Sequence, residues 1–401
     1  MRSTPKLYPV IVLAPRIIAG CELSSNFQEV DDPARRASFS RDILPILDSK
    51  CNQCHGASVR PLPAAGLALS SWDALMQGSR FGEVVIAFDA DRSLLLRLAG
   101  DRAGPAHPAE AAADTLTDSE VATVRDWIDL GARSDAGVVP FEQADDLLYV
   151  CNQDEASVSI IDIDRNVVAR VVDLTDYGFS SESKPHHVAV EPDGSAWYVS
   201  LIGDNTVAKF DRENSLVGQF EFETPGMVVV DPNSDWLYIG RSLSAPNPPS
   251  SIARIDRRDM TGEEIPVVFS RPHALAVNAI GTYAYSASLG TNQLIAIRAS
   301  DADVSFTAVA GPLHAFVQHA VSPDGSLLAS SAQLTSRIIV FDISDAARPV
   351  ELWSTGTNAE PWHPSFSTDG QWIFAGNRGA NTVSVVSVPR QRVEAIITGD
   401  G

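Results

Sequence analysis

Apolar positions follow two different periods along the chain, and the change between them divides it. In the first third they recur at helical intervals. Ser40 can cap a helix whose apolar positions are Ile43, Leu44 and Leu47. Ser70-Ser71-Trp72-Asp73-Ala74-Leu75-Met76 opens a second short helix, and Ser93 followed by Leu94, Leu95, Leu96 and Leu98 a third. The best signal in this part is Thr117-Asp118-Ser119-Glu120, which has capping-box spacing and places acid at the positive helix end. Val121, Val124, Trp127 and Ile128 then form one apolar face, and Gly131 can supply the left-handed stop.

Beyond Gly137-Val138-Val139-Pro140 the period shortens to that of strands, and the strands repeat. One unit is an aromatic-aliphatic strand, a polar turn and a second strand. Examples are Tyr149-Val150-Cys151-Asn152 with Val158-Ser159-Ile160-Ile161-Asp162, and Tyr198-Val199-Ser200 with Thr206-Val207-Ala208-Lys209-Phe210-Asp211. Further copies start at Leu237, Tyr283, Leu327 and Trp372, a spacing of roughly 40–50 residues, the length of one propeller blade. Segments such as Val188-Ala189-Val190-Glu191-Pro192-Asp193-Gly194 add an inner strand and a tight turn before the aromatic strand. Each unit can bury its faces only against its neighbours, so the array predicts a ring. The first unit lacks an inner strand, because Phe141 to Asp146 lead directly into Leu147, and the chain stops at Gly401 where the next one would begin. The expectation is a propeller of about six blades, truncated from seven, with a gap or a short blade between first and last.

These patterns give a multidomain chain: a small all-α domain over 39–136, a linker over 137–144 and an all-β propeller over 145–401. Residues 1–21 read as a bacterial export signal, with Arg2 and Lys6 ahead of a mostly apolar run from Tyr8 to Ile18. Ile18-Ala19-Gly20-Cys21 is similar to a lipobox and predicts acylation of Cys21, although Pro9, Pro15 and Arg16 interrupt the run. Residues 22–38 form a polar tether. No other segment has the roughly 18 apolar residues of a membrane helix. The expected location is therefore periplasmic or cell-surface, with the membrane engaged only through the lipid anchor.

Charge narrows the partners. Lys+Arg 30 against Asp+Glu 51 gives a net charge of -21, which argues against nucleic acid and anionic membrane surfaces. A basic redox protein would be steered toward such a surface, while solubility alone is the plainer use of it.

The chemistry lies in Cys51-Asn52-Gln53-Cys54-His55, the attachment pattern of c-type haem. On one helical turn two sulfurs can reach the two vinyl groups along one porphyrin edge, with His55 beneath the macrocycle offering nitrogen to iron. A zinc half-site would need a second Cys or His pair nearby, and no cysteine occurs again before Cys151. A thioredoxin-like pair would sit in a βαβ pattern and would not need His55. Cys151, in a strand-like run, reads as a small buried residue.

Phe39-x-x-Asp42-Ile43-Leu44-Pro45-Ile46-Leu47, CNQCHG, Gly66-Leu67-x-Leu69, Ser93-Leu94-Leu95 and Leu116-Thr117-x-x-Glu120 with Trp127-Ile128-x-x-Gly131-Ala132 resemble the planctomycete-type cytochrome c domain. The resemblance covers residues 39–132 and implies a helical fold around one covalent haem used for electron transfer. Members of that family commonly carry a Met-Pro-Pro segment supplying the second axial ligand. Here the corresponding place reads Gly104-Pro105-Ala106-His107-Pro108. His107 is the leading sixth ligand, Met76 the second candidate and an open position the third. The repeat, in turn, resembles the YVTN-type β-propeller, with Tyr149-Val150-Cys151-Asn152 and Thr382-Val383-Ser384-Val385-Val386 close to its consensus. That resemblance speaks to fold, since propellers host many unrelated activities.

Histidines gather at one phase of the repeat: His186, His187, His273, His319 and His363. Equivalent positions lie on a circle around a propeller axis, so the imidazoles can face one cavity holding a metal or second cofactor. Alternatively a repeat sequence places the same turn-stabilising residue in several copies. The reading is an exported electron carrier with one haem c, whose propeller docks an unidentified redox partner protein or shapes a cofactor or substrate cavity. Its rivals are a redox enzyme with a histidine-ligated centre relayed by the haem, and a non-catalytic interaction propeller. No nucleophile–base triad, phosphate loop or paired-carboxylate pattern rises above chance spacing.

Overall fold

The computed structural model describes residues 37–56, 58, 63–99, 116–142, 144, 146–242 and 251–399. The export signal, the lipobox cysteine Cys21, most of the tether and His107 lie outside the described residues.

Among the described residues the N-terminal region holds five short α-helices. A wide helical turn, Phe39–Ile43, runs into α1 (Leu44–Lys50), which is followed by α2 (Asn52–His55), α3 (Trp72–Met76), α4 (Leu94–Ala99) and α5 (Asp118–Asp129). The sequence expectation for the first start needs correcting. Ser38, not Ser40, is the cap: its Oγ accepts from the Arg41 amide, while its own amide donates to Asp42 at 2.7 Å. Two residues earlier is favoured because Asp42 can answer Ser38 across the same turn. At α5 the capping box forms as expected: the Thr117 amide donates to Glu120 at 2.7 Å and the Glu120 amide to Thr117 Oγ1 at 3.2 Å. Gly131 then takes φ +101°, and a Cβ there would lie 2.7 Å from the Phe88 ring. Trp127, fully buried and 5.7 Å from the Phe39 ring, joins Ile43, Leu47, Leu69, Val124 and Ile128 in one core. Burying such a side chain is worth roughly 1.5–3 kcal/mol.

The remaining strands form a six-bladed β-propeller. Blades 2 to 6 are four-stranded antiparallel meanders, and blade 1 has three strands. The inner strands are Pro185–Val190, Pro225–Val230, Pro272–Val277, Phe316–Val321 and Pro361–Phe366, for blades 2 to 6 respectively. Blade 1 begins at Leu147–Asn152, which occupies the second-strand position of the other blades, so the expected short blade is present. Each inner strand is entered through a residue of positive φ: Lys184, Thr224, Arg271, Ala315 and Glu360. Repetition of this costly left-handed turn gives every inner strand the same start, and so brings equivalent positions to the same level of the axis.

Burial along the second strands separates internal blades from end blades. Ala196–Leu201 in blade 2 is buried at all six positions, because both faces of that blade are covered. Trp372–Asn377 in blade 6 alternates exposed and buried. Its Ile373 and Ala375 pack on blade 5, while Trp372 and Phe374 face outward. In blade 1 Leu147 and Tyr149 pack on blade 2, and Leu148 and Val150 are exposed. Each end blade thus buries one face.

The helical region rests on the outer strand of blade 1, Val167–Asp173. The Val168 amide donates to Glu83 at 3.1 Å, Arg92 approaches Asp173 at 3.7 Å, and Arg170 donates to the Pro140 carbonyl at 3.1 Å while lying over the Phe88 ring. Enclosure there pushes the Arg170 guanidinium down to about 10. Among the described residues no helix is long and apolar enough to cross a membrane.

Candidate functional site

Two places gather the chemistry-bearing residues. The first is α2. Cys51 precedes it as the hinge from α1, and the Cys54 and His55 amides both donate back to the Cys51 carbonyl, at 3.1 and 3.0 Å. This winds the two cysteines and His55 onto one turn. Both thiols are free; Cys54 is exposed and Cys51 half-buried. Burial pushes the Cys51 thiol up to about 11, so it is held protonated. His55 is 8% exposed, and its Nδ1 lies 3.2 Å from the Leu67 carbonyl oxygen. A carbonyl can only accept, so this contact puts the ring proton on Nδ1 and the lone pair on Nε2. The His55 carbonyl accepts from the Leu69 amide at 3.0 Å, tying the Gly66-to-Leu69 segment to the same turn. Met76 is 7% exposed, packed in the core of the helical region.

The second place is the propeller axis. The structure brings four inner-strand positions together there. His186 and His187 follow Pro185 in blade 2, His273 follows Pro272 in blade 4, and His363 follows Trp362 in blade 6. His319 stands one position deeper, on blade 5. The His186 and His273 ring centres are 5.7 Å apart at 77°, and those of His187 and His363 are 6.1 Å apart at 74°.

Neither pair comes from adjacent blades. Between His186 and His273 lies blade 3, which has Gly226 at the matching position after Pro225. A Cβ on Gly226 would stand 2.5 Å from the Arg241 carbonyl oxygen. Between His187 and His363 lies blade 1, which has no inner strand.

Hydrogen bonds fix several of these rings. His273 Nδ1 lies 2.6 Å from the Val317 carbonyl oxygen, which assigns its proton to Nδ1. His319 Nδ1 meets Ser330 Oγ at 2.7 Å, and His187 Nδ1 accepts from the Val228 amide at 3.3 Å. Nε2 of His186, His273 and His319 is buried with no hydrogen-bond partner in the protein. Burial, reinforced by the neighbouring imidazoles, pushes His186 down to about 4 and His187, His273 and His319 down to about 3. His363 is exposed, and the protein around its ring lowers its pKa too. The four imidazoles held at about 3 to 4 are neutral at pH 7. None of the five inner strands contains a carboxylate. Among the described residues no group of three or more His, Cys, Asp or Glu is placed to hold a metal ion.

Sequence reasoning gave Leu67 no role beyond its place in the Gly66-Leu67-x-Leu69 motif and did not pick out Val317 or Gly226. The first two act through backbone carbonyls, which leave no mark in the sequence. Gly226 could have been found by aligning the Pro-led inner strands, where it falls level with His186 and His273. Cys151 is half-buried against blade 2, and burial raises its thiol to about 12, as suits a packing residue.

No protein-family model and no curated protein matches the chain. Solved structures do resemble it. Hydrazine synthase from Kuenenia stuttgartiensis is 19% identical, with 64% of this chain and 82% of that one covered and a TM-score of 0.52. A β-propeller domain from Myceliophteria thermophila is 14% identical, over 63% and 83%, with a TM-score of 0.53. Virginiamycin B lyase from Staphylococcus aureus is 12% identical, over 64% and 81%, with a TM-score of 0.52. The likeness shows the fold alone.

Proposed function

We propose that the chain is an exported, lipid-anchored electron carrier holding one covalent c-type haem on Cys51 and Cys54, with His55 as the proximal iron ligand. The observation that supports this best is the turn Cys51 to His55. It presents two free thiols beside an imidazole whose Nδ1 is committed to the Leu67 carbonyl, the arrangement that orients a metal-binding histidine through Nε2. The residues therefore fit the group. Haem would supply a one-electron iron couple; the chain's own part is to hold it and set its potential. Cys51, protonated by burial, is suited to adding its S–H across a vinyl group. His55, held by Leu67, keeps one tautomer in both redox states. His107 is proposed as the distal ligand, with Met76 as the alternative. The propeller would dock the redox partner, and the net charge of -21 favours a basic one.

The test is covalent attachment. Protein matured in a bacterial periplasm should keep its haem after unfolding, because thioethers survive denaturation. Complete loss of haem into acidified organic solvent, or no haem incorporation at all, would sink the proposal. Cys54→Ala should leave a single thioether and a red-shifted reduced spectrum.

A further inference from the structure

We propose that His186 and His273, through their Nε2 atoms, bind one late first-row transition-metal ion at the propeller axis, copper ahead of zinc, with water in the remaining coordination positions. This goes beyond the haem reading and stands or falls independently of it.

Three observations carry the proposal. The first is the orphaned nitrogens. His273 and His319 are 0% and 3% exposed, and their Nε2 atoms, with that of His186, have no partner. A buried polar atom left unmatched costs roughly 1–3 kcal/mol, and such groups in a folded protein call for a water, an ion or a role. The second is orientation. His273 donates Nδ1–H to the Val317 carbonyl, so its Nε2 holds a lone pair aimed into the centre, the arrangement of a metal ligand steadied from behind. The third is distance. Two imidazoles bound to one ion through nitrogen at about 2.0–2.1 Å have ring centres roughly 5–6 Å apart, and His186 and His273 stand at 5.7 Å.

The donor set selects the ion. It is all neutral nitrogen, with no carboxylate on any inner strand, which excludes calcium and magnesium and suits copper or zinc. Copper(II) binds such sites most tightly of the divalent series. His187 is a poorer ligand: its Nδ1 is an acceptor for the Val228 amide, which leaves the ring proton on Nε2.

The experiment uses the full chain with its haem content recorded. Chelator-treated protein is titrated with copper(II) and, separately, zinc(II) against a competing indicator. One equivalent of copper(II) should bind, with nitrogen superhyperfine structure in its electron paramagnetic resonance spectrum and no sulfur ligation. His186→Gln and His273→Gln should each weaken binding at least 100-fold. His314→Gln should not, because both nitrogens of His314 are taken up by Thr335 and the Ala310 carbonyl. Thermal unfolding of the metal-free forms checks that the variants fold. Absence of stoichiometric binding means a water-filled centre and overturns the proposal. So does wild-type affinity in the double variant, or a sulfur-ligated signal that moves the copper to a cysteine. If a variant fails to fold, the wild-type spectrum alone decides the matter.

Discussion

His186 on blade 2 faces His273 on blade 4, their ring centres 5.7 Å apart, although blade 3 lies between them in the ring. Neither ring has a partner for its Nε2.

Replacing Gly226 should damage the fold. A Cβ at that position meets the Arg241 carbonyl oxygen at 2.5 Å, backbone against side chain with nothing flexible to yield. Gly226→Val is expected to cost about 1–3 kcal/mol, as overpacked core sites do. Chemical denaturation measures it; a change below 0.5 kcal/mol, on the scale of an ordinary surface substitution, would mean the strand shifts without penalty.

The buried imidazoles should make the propeller acid-sensitive in a defined window. His186, His187, His273 and His319 are held at about 3 to 4, below the ordinary value of about 6.5. Their folded-state pKa is depressed, so the unfolded chain takes up protons that the folded one refuses. Stability is full above about pH 6.5 and falls as pH drops toward the folded values. With four such groups the slope approaches roughly 5 kcal/mol per pH unit. Thermal unfolding between pH 7.5 and 5, above the range where most carboxylates titrate, reads it. His319→Gln should remove about one proton from the slope, and a flat profile would show that the rings are charged or solvated.

The capping box offers a separate test of the helical region. Thr117→Ala removes the oxygen that accepts from the Glu120 amide and should cost about 1 kcal/mol, followed through the buried Trp127. Thr117→Ser should recover most of it. Equal stability of all three forms would mean that tertiary packing alone holds α5.

The proposed distal haem ligand can be tested by substitution. His107→Ala should change the visible spectrum, and a bis-imidazole couple should lie below that of a His/Met cytochrome. Met76→Leu should leave the spectrum unchanged, as its burial in the core suggests. A sulfur-to-iron charge-transfer band near the red edge of the visible range, lost in Met76→Leu, would reverse the assignment.

Much of this architecture was readable from residues. Tyr198 and Tyr238 mark second strands because an aromatic among apolar neighbours suits a strand buried on both faces, and both are fully buried, whereas Tyr283, which marks the next copy, is half-buried. The blade 1 deficit was readable too, since Phe141 to Asp146 offer no apolar alternation. The start of the first helix was misread by two residues, because Ser38 and Ser40 are equivalent as caps until Asp42 chooses between them. The circle of histidines could be anticipated from repeat phase, but its pairing could not. His273 is held by the Val317 carbonyl, and His187 and His363 meet beside the three-stranded blade 1; neither feature is a motif.

The end blades behave differently from the rest. A ring whose members each lean on two neighbours opens only as a whole, whereas a row with two bare ends frays from them. With Trp372 and Phe374 uncovered on one side and Leu148 and Val150 on the other, amide protons of blades 1 and 6 should exchange before those of blades 3 and 4. His363 rides on one of these end members, so its surroundings should open to solvent before those of His273 on blade 4.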